Sequence, residues 1–559
     1  MPRYEVRQAQ KELFFVSEDF YCTKLTKMTA PNLELIDYII IAVYFVFVIS
    51  LGFFFKDNKD SESNYFLAGR SLMWPVIGFS LFASNMGSIS LIGLAESGFN
   101  TGFAVFSYEW MASVVLVLFA VFFLPFYLKN NIYTVPEFLG KRYGAFARSY
   151  FSIITILLNT FIDIAAGLFA GAVVVKMMFP ELSIETIIWT ISIVAAFYTL
   201  LGGLASVVYS DTVQAVLLII SSIVITVIAY NKIGGWEQIV ASVEPDKLNI
   251  IRPISDPDLP WPGLFSGVFL LGFYFWVTNQ FIAQRALASK NTQQGQWGAL
   301  FAGFLKLMAL FIMVLPGVMA LILYPDLKEA KNAYPMLVFD LLPTGLLGLT
   351  LAGFMAALMS SVDSGLNAAA TLFTMDFYKK IKPQATADQS IKVAKVAILV
   401  IMIIAALWAP QINKFESFWD YLQMVLSFIS PPVVALFIFG LFTKKVNKNG
   451  ANASIVLGVL LSVASIGYKV YINFNGLVDD LLPHYLYLAG IIFILCSAVL
   501  IIVSHLFPDD EEKDWDKLLW TVSYYKEETI LLSSLPFYKN YRVQAAVLLI
   551  IITALLLIF

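Results

Sequence analysis

Stretches of about twenty apolar residues recur along almost the whole of this 559-residue chain, and no other feature restricts its fold so severely. A helix of that length matches the ~30 Å hydrocarbon core of a bilayer. Inside that core every backbone polar group needs a partner within the protein, so only helices or a closed barrel can span it. These runs are too long and too continuously apolar for barrel strands. Apolar spans read as 34–55, 73–98, 102–128, 147–178, 184–201, 206–231, 262–285, 296–325, 343–376, 391–410, 413–442, 450–474, 481–506 and 541–559. Composition agrees: 59% of residues are hydrophobic and 13% charged, against about 25% charged in a soluble domain. The expected fold is an all-α polytopic membrane protein of about 14 transmembrane helices.

Charge placement orients it. With the N-terminus outside, 22 of the 36 Lys and Arg fall in inner loops and 8 in outer loops. The inner groups include Lys56, Lys59 and Arg70, then Lys141, Arg142 and Arg148, and later Lys444, Lys445 and Lys448. That asymmetry puts both termini on the extracellular side of a cell membrane. The polar segment 1–33 is then extracellular and carries no signal-peptide pattern. Residues 34–55 form a leading helix, 450–506 two additional helices and 541–559 the last one. The acidic segment 507–540 is cytoplasmic and too short for a catalytic or sensor domain. The two cysteines, Cys22 and Cys496, do not suggest a disulfide framework, and two histidines, His484 and His505, exclude a His-rich metal site.

One span is unlike a plain anchor. From Leu351 to Tyr378 the chain reads LAGFMAALMSSVDSGLNAAATLFTMDFY. On a 3.6-residue period Ala357, Ser360, Ser361, Ser364 and Asn367 share a stripe, with Asp363 on its edge. Hydroxyls in such a stripe either bond back to their own helix and permit close packing, or join freed carbonyls around a hard cation such as Na⁺. Asp363 favours the second, because an acid inside a membrane helix is expensive and needs a partner.

Two other spans are interrupted by their own sequence. Ser84-Asn85-Met86-Gly87-Ser88 breaks the 73–98 span near mid-depth, and Gly272-Phe273-Tyr274 breaks the 262–285 span more weakly. These are the second and seventh spans. Their spacing fits two five-helix units, 73–231 and 262–442, related as inverted repeats with their first helices unwound. Unwinding at that depth is tolerable only where the loosened backbone lines a cavity or binds something.

Further polar groups lie at membrane depth: Glu109, Asn159, Asp163, Asp211, Lys306 and Gln423. Each could be a buried pair or a snorkelling side chain. Lys306, with apolar residues on both sides, fits those readings least. Phe275, Trp276 and Trp110 are ordinary as core or belt residues. A polar cluster with flat aromatic faces nearby is nonetheless what a sugar-sized site requires.

The stretches YFLAGRSL (65–72), SYEWM (107–111), IYTVPEF (132–138), GGLASVVYSDTVQ (202–214), NQFIAQRALASK (279–290), SSVDSGLNAAATLFTMDFY (360–378) and GLFTKKVNKNGANASIVLG (440–458) together resemble the sodium/solute symporter family. The likeness covers about 34–505 and is nearest to its sodium/glucose and bacterial sodium/galactose cotransporters. It implies a LeuT-type 5+5 inverted-repeat core with broken first and sixth core helices, and secondary transport driven by Na⁺. It implies a Na⁺ site of carbonyl and hydroxyl oxygens at Ala83, Met86, Ala357, Ser360 and Ser361. Some members hold a second Na⁺, which here would use Asp211, Ser360, Asp363 and Ser364. Asp363 departs from the usual small or hydroxyl residue and so bears on the coupling ratio. For the solute, Asn85, Glu109, Lys306 and Gln423 match sugar-contacting residues of the family, and Trp276 an aromatic beside the site. Ser90, Gly272, Phe275 and Asp163 stand where the family has a Gln or His, an Asn or Thr, a Tyr gate and an Asn. The four matches imply a small polyhydroxylated solute, a sugar or a relative of one; the four departures speak against galactose itself or any one hexose. An inositol, a sialic acid, a carboxylate or an amino acid is the alternative.

Other classes fit less well. A channel needs a continuous polar path, whereas these polar groups cluster near the midplane between apolar runs. An enzyme needs a catalytic set, and no His dyad, metal cluster or nucleophile motif is present. A transporter-derived sensor needs an added soluble domain.

Overall fold

The structure, a computed structural model, describes residues 33–54, 61–414, 418–475, 482–509 and 514–559. The expected polar leading segment, with Cys22, and the inner-loop residues Lys56 and Lys59 lie outside the described residues. Among the described residues all regular elements are helices. Eleven of them are long and apolar enough to cross a membrane, and Leu35–Phe47 and Ile184–Phe197 are shorter apolar helices.

The expected count of about 14 is not reproduced one for one, because helices do not start and stop where apolar runs do. The second run divides into Trp74–Asn85 and Ser88–Thr101, and the second half runs on towards Phe106–Leu118 and Lys129. The runs 184–201 and 206–231 are two helices that meet at a sharp kink within Ile184–Ile233, where the chain leaves helical geometry at Gly203 (φ 59°, ψ −160°). Only glycine suits that point: φ is left-handed, and a Cβ would sit 2.8 Å from the Tyr65 carbonyl oxygen.

The serine-rich helix, Leu346–Leu372, is the most enclosed long element, buried at almost every position, and packs against Ile184–Ile233. Its N-terminus is held by the leading helix. Asp37, fully buried on the leading helix Leu35–Phe54, accepts from the backbone N–H of Gly345 and Gly348 at 2.7 Å each. A carboxylate there satisfies donors that a helix start leaves orphaned and complements its dipole. On the opposite side Trp74–Asn85 packs on Thr292–Leu307 through Gly78 and Gly298; a Cβ on Gly298 would meet Ile77 at 2.6 Å. Small residues give membrane helices the close approach that no hydrophobic effect supplies between them.

The second interruption falls later than the sequence suggests. Gly272 lies inside the helical turn Phe269–Phe273, a π-helical turn follows at Tyr274–Thr278, and the break comes at Asn279 (φ −69°, ψ 125°). Asn279 starts the short helix Gln280–Leu287 by accepting from the Phe281 N–H at 3.1 Å. Asn is a strong helix-starting residue, and that preference outweighs the weak helix propensity of Gly272.

Candidate solute and ion site

The site begins where the first broken helix parts. Met86 (φ −86°, ψ 50°) and Gly87 (φ −75°, ψ −174°) leave helical geometry before Ser88 starts the next segment. Ser90 Oγ donates to the Asn85 carbonyl at 2.6 Å, giving one of the freed carbonyls a partner. Gly87 meets the serine-rich helix directly: a Cβ there would lie 1.9 Å from Ser361 Oγ and 3.3 Å from the Ala357 carbonyl oxygen. Ser361 Oγ in turn makes two long hydrogen bonds, 3.4 Å to the Ser84 carbonyl and 3.2 Å to that of Ala357. Ala83 and Met86 flank this junction and are buried. Loosely held hydroxyl and carbonyl oxygens around one small volume fit a hard, weakly acidic cation such as Na⁺. Ser360, the fifth residue of that expected set, turns partly away and donates to Asp211 Oδ1 at 2.5 Å.

All eight residues expected to touch solute line one cavity, together with Gly87 and Ser361. Its centre is polar. Lys306 Nζ forms a buried ion pair with Glu109 Oε2 and donates to Asn85 Oδ1. The same ammonium lies 5.3 Å from the centroid of the Trp276 ring, a cation–π distance. Glu109 reaches it from Phe106–Leu118 and Lys306 from Thr292–Leu307. Phe275 packs edge-on to Trp276, with centroids 5.4 Å apart. Asp163 enters from a π-helical turn, Asn159–Ile164. With its amide turned to donate, Asn159 gives hydrogen bonds to Asp163 Oδ2 at 3.1 Å and to the Thr155 carbonyl. π turns recur at functional sites because one extra residue re-aims the side chains that follow. Here they aim Asp163 and the Phe275–Trp276 pair.

The cluster expected to hold a second ion assembles differently. Asp211 is fully buried and accepts from Ser80 at 2.5 Å, Ser84 at 3.2 Å and Ser360. Ser364 lies beside it, 3.4 Å from Ser84 Oγ. Asp363 does not join that shell: its Oδ1 is 2.8 Å from the Thr199 hydroxyl, on another face of the helix. One position along a helix turns a side chain by about 100°, so Asp363 points well away from Ser364, and its carboxylate accepts from Thr199 instead. In its place stands Arg285, 3.0 Å from Asp211. Arg285 belongs to the NQFIAQRALASK stretch, yet nothing in the sequence singled it out as part of this cluster. The available signal was a charged residue among FIAQRALA, on a segment short enough to lie wholly inside the protein.

Paired charges, hydroxyls and aromatic faces at a helix break can bind, orient and release, and they contain no nucleophile poised beside a base. The class this fold and site define is a secondary active transporter on a LeuT-type core, with broken first and sixth core helices at its centre. Comparison with known proteins agrees. The profile of the Sodium:solute symporter family matches residues 65–458. Sodium/glucose cotransporter 1 of Mus musculus is 34% identical over 548 residues, covering 88% of this chain and 82% of that one. The sodium/myo-inositol cotransporter of Mus musculus is 35% identical over 533 residues, covering 85% and 74%. In fold, a Na⁺-coupled sialic acid symporter solved in a substrate-bound outward-open state superposes with a TM-score of 0.73 at 21% identity, covering 85% of this chain and 98% of that one. The chain belongs to the sodium:solute symporter family.

Proposed function

We propose that this protein carries a small polyhydroxylated solute, a sugar or a close relative of one, into the cell together with Na⁺ by alternating access. The observation that carries the reading is the shared wall between the two sites: Gly87 and Ser361 line the solute cavity and also form the candidate Na⁺ junction. Solute and ion bound there would each order the same helix break, which is the physical content of coupling. The junction uses Ser361, Ala357, Ala83 and Met86, with Ser360 shared. Asn85, Glu109, Lys306, Asp163 and Gln423 supply donors and acceptors for hydroxyls, and Trp276 and Phe275 supply flat faces for C–H surfaces. The two repeats are taken to span 73–231 and 262–442, in a plasma membrane with both termini outside as the Lys and Arg distribution favours.

A neutral solute suits the cavity better than an anion. Its lining ammonium, Lys306, is already paired with Glu109, and Asp163 adds a further carboxyl. The sodium/glucose and sodium/myo-inositol relatives support that choice by name. The test is uptake into proteoliposomes under an inward Na⁺ gradient, screened across labelled hexoses, inositol, sialic acid, a carboxylate and proline. Accumulation of a neutral sugar or polyol that collapses when choline replaces Na⁺ is expected. Equal accumulation in choline would overturn the reading.

A further inference from the structure

A second sodium ion beside Asp211 would need that carboxylate and the Ser360 and Ser364 hydroxyls to face an open position. In this structure the position is filled. Arg285, 1% exposed, comes from the short helix Gln280–Leu287 and points its guanidinium between Asp211 and the serine-rich helix. Nη2 lies 3.0 Å from Asp211 Oδ2 and also donates to Ser364 Oγ. Nε donates to Ser80 Oγ at 2.7 Å, and Nη1 donates to the Phe281 carbonyl. Ser80 Oγ in turn donates a hydrogen bond to Asp211 Oδ2. The carboxylate is thus met on Oδ2 by Ser80, Ser84 and Arg285, and on Oδ1 by Ser360. Two of the three groups that would have held an ion, Asp211 and Ser364, are engaged by one cation that belongs to the protein, and the third, Ser360, donates to Asp211.

A guanidinium stays charged at any physiological pH, and its planar fork suits a carboxylate flanked by hydroxyls. With Arg285 present the cluster sums to zero charge. A sodium ion added there would meet a like charge at contact distance in a buried, water-poor setting, where repulsion is least screened. Asp363 supplies no ligand to this cluster: its carboxylate accepts from Thr199 instead. We propose that the Arg285 guanidinium is the resident cation of the Asp211–Ser360–Ser364 cluster, standing where a second sodium ion would bind, so that the protein binds one Na⁺ for each solute. This goes beyond the proposed function and rests on it only for the ion at Ser361.

The test needs no knowledge of the solute. Equilibrium binding of ²²Na⁺ to the purified full chain, without solute, should saturate at one ion per protein with a hyperbolic curve. Arg285→Gln leaves Asp211 buried without a counter-charge and should raise the number to two. The charge-neutral double variant Asp211→Asn/Arg285→Gln should return it to one with wild-type affinity, and keeps the test alive if Arg285→Gln does not fold. Two ions on the wild type, no gain of an ion over the wild type on folded Arg285→Gln, or loss of an ion in the double variant would each overturn the proposal. Ser361→Ala separates the two readings, because it weakens the ion at the helix break and spares the one gained in Arg285→Gln. A wild type that binds no Na⁺ while Arg285→Gln binds one would sink the Ser361 site and uphold Arg285 as the resident cation.

Discussion

Ser361 sits at the contact between the helix break and the serine-rich helix, and its hydroxyl is held only by hydrogen bonds of 3.2 and 3.4 Å. Ser361→Ala keeps helix propensity and removes an oxygen ligand. The Na⁺ concentration giving half-maximal uptake should rise about tenfold or more, the scale of losing one hydrogen bond to a charge; an unchanged value would make Ser361 a packing residue. Lys306→Met should lower solute affinity by about 10- to 100-fold on the same scale, while ²²Na⁺ binding stays measurable. Normal uptake by a folded Lys306→Met protein would instead make the Lys306–Glu109 pair purely structural. These residues were legible because each is a polar group with no reason to be at mid-membrane depth except a partner or a ligand. Arg285 was not singled out, although it obeys the same logic, because its partner Asp211 lies on a different span 74 residues away. Asp363 misled for the converse reason: its place on the serine stripe is real, but a hydrogen bond to Thr199 decides which way it faces.

At the scale of elements, the break at Met86–Gly87 works only if two backbones come close. Gly87→Ala puts a methyl group 1.9 Å from Ser361 Oγ, and the serine-rich helix behind it is buried almost throughout. The cost should be about 1–3 kcal/mol of stability, as for overpacking elsewhere, together with weakened Na⁺ dependence. Thermal unfolding in detergent and the Na⁺ curve check the two effects, and a wild-type curve in Gly87→Ala would detach the break from the ion. A parallel case without the site is Gly317→Ala, whose Cβ would lie 2.2 Å from the Ala95 carbonyl oxygen. It should lower stability comparably and leave the half-maximal Na⁺ concentration of the surviving protein unchanged. The first break was readable because Ser-Asn-Met-Gly-Ser packs four weak helix formers, two Ser, Asn and Gly, into five positions of an apolar run. The second was displaced to Asn279, since a lone glycine flanked by Phe and Leu on a packed helix is tolerated at about 1 kcal/mol. The role of Asp37 was invisible for a third reason: a carboxylate near the end of an apolar run reads as an interface residue until the helix start it caps is seen.

For the whole molecule, the charges now define what one transport cycle moves. The solute cavity holds a compensated Lys306–Glu109 pair, the Asp211 cluster is compensated by Arg285, and one Na⁺ at Ser361 would travel with a neutral solute. Each cycle should then carry one net positive charge inward. A tenfold inward Na⁺ gradient supplies about 1.4 kcal/mol per ion, and an inside-negative potential of about 100 mV adds about 2.3 kcal/mol per charge. With one ion per solute the limit is about 3.7 kcal/mol, an accumulation of roughly 500-fold; with two ions the driving force doubles, and the limit rises to the square of that ratio. Proteoliposomes with a potassium diffusion potential can read this directly through the steady-state accumulation ratio and the charge moved per labelled solute. Uptake should be stimulated by the inside-negative potential and should settle at one charge per solute. Two charges per solute, or accumulation far above the one-ion limit in vesicles of known gradient and potential, would show that Arg285 vacates the Asp211 cluster during the cycle and yields its place to a second ion.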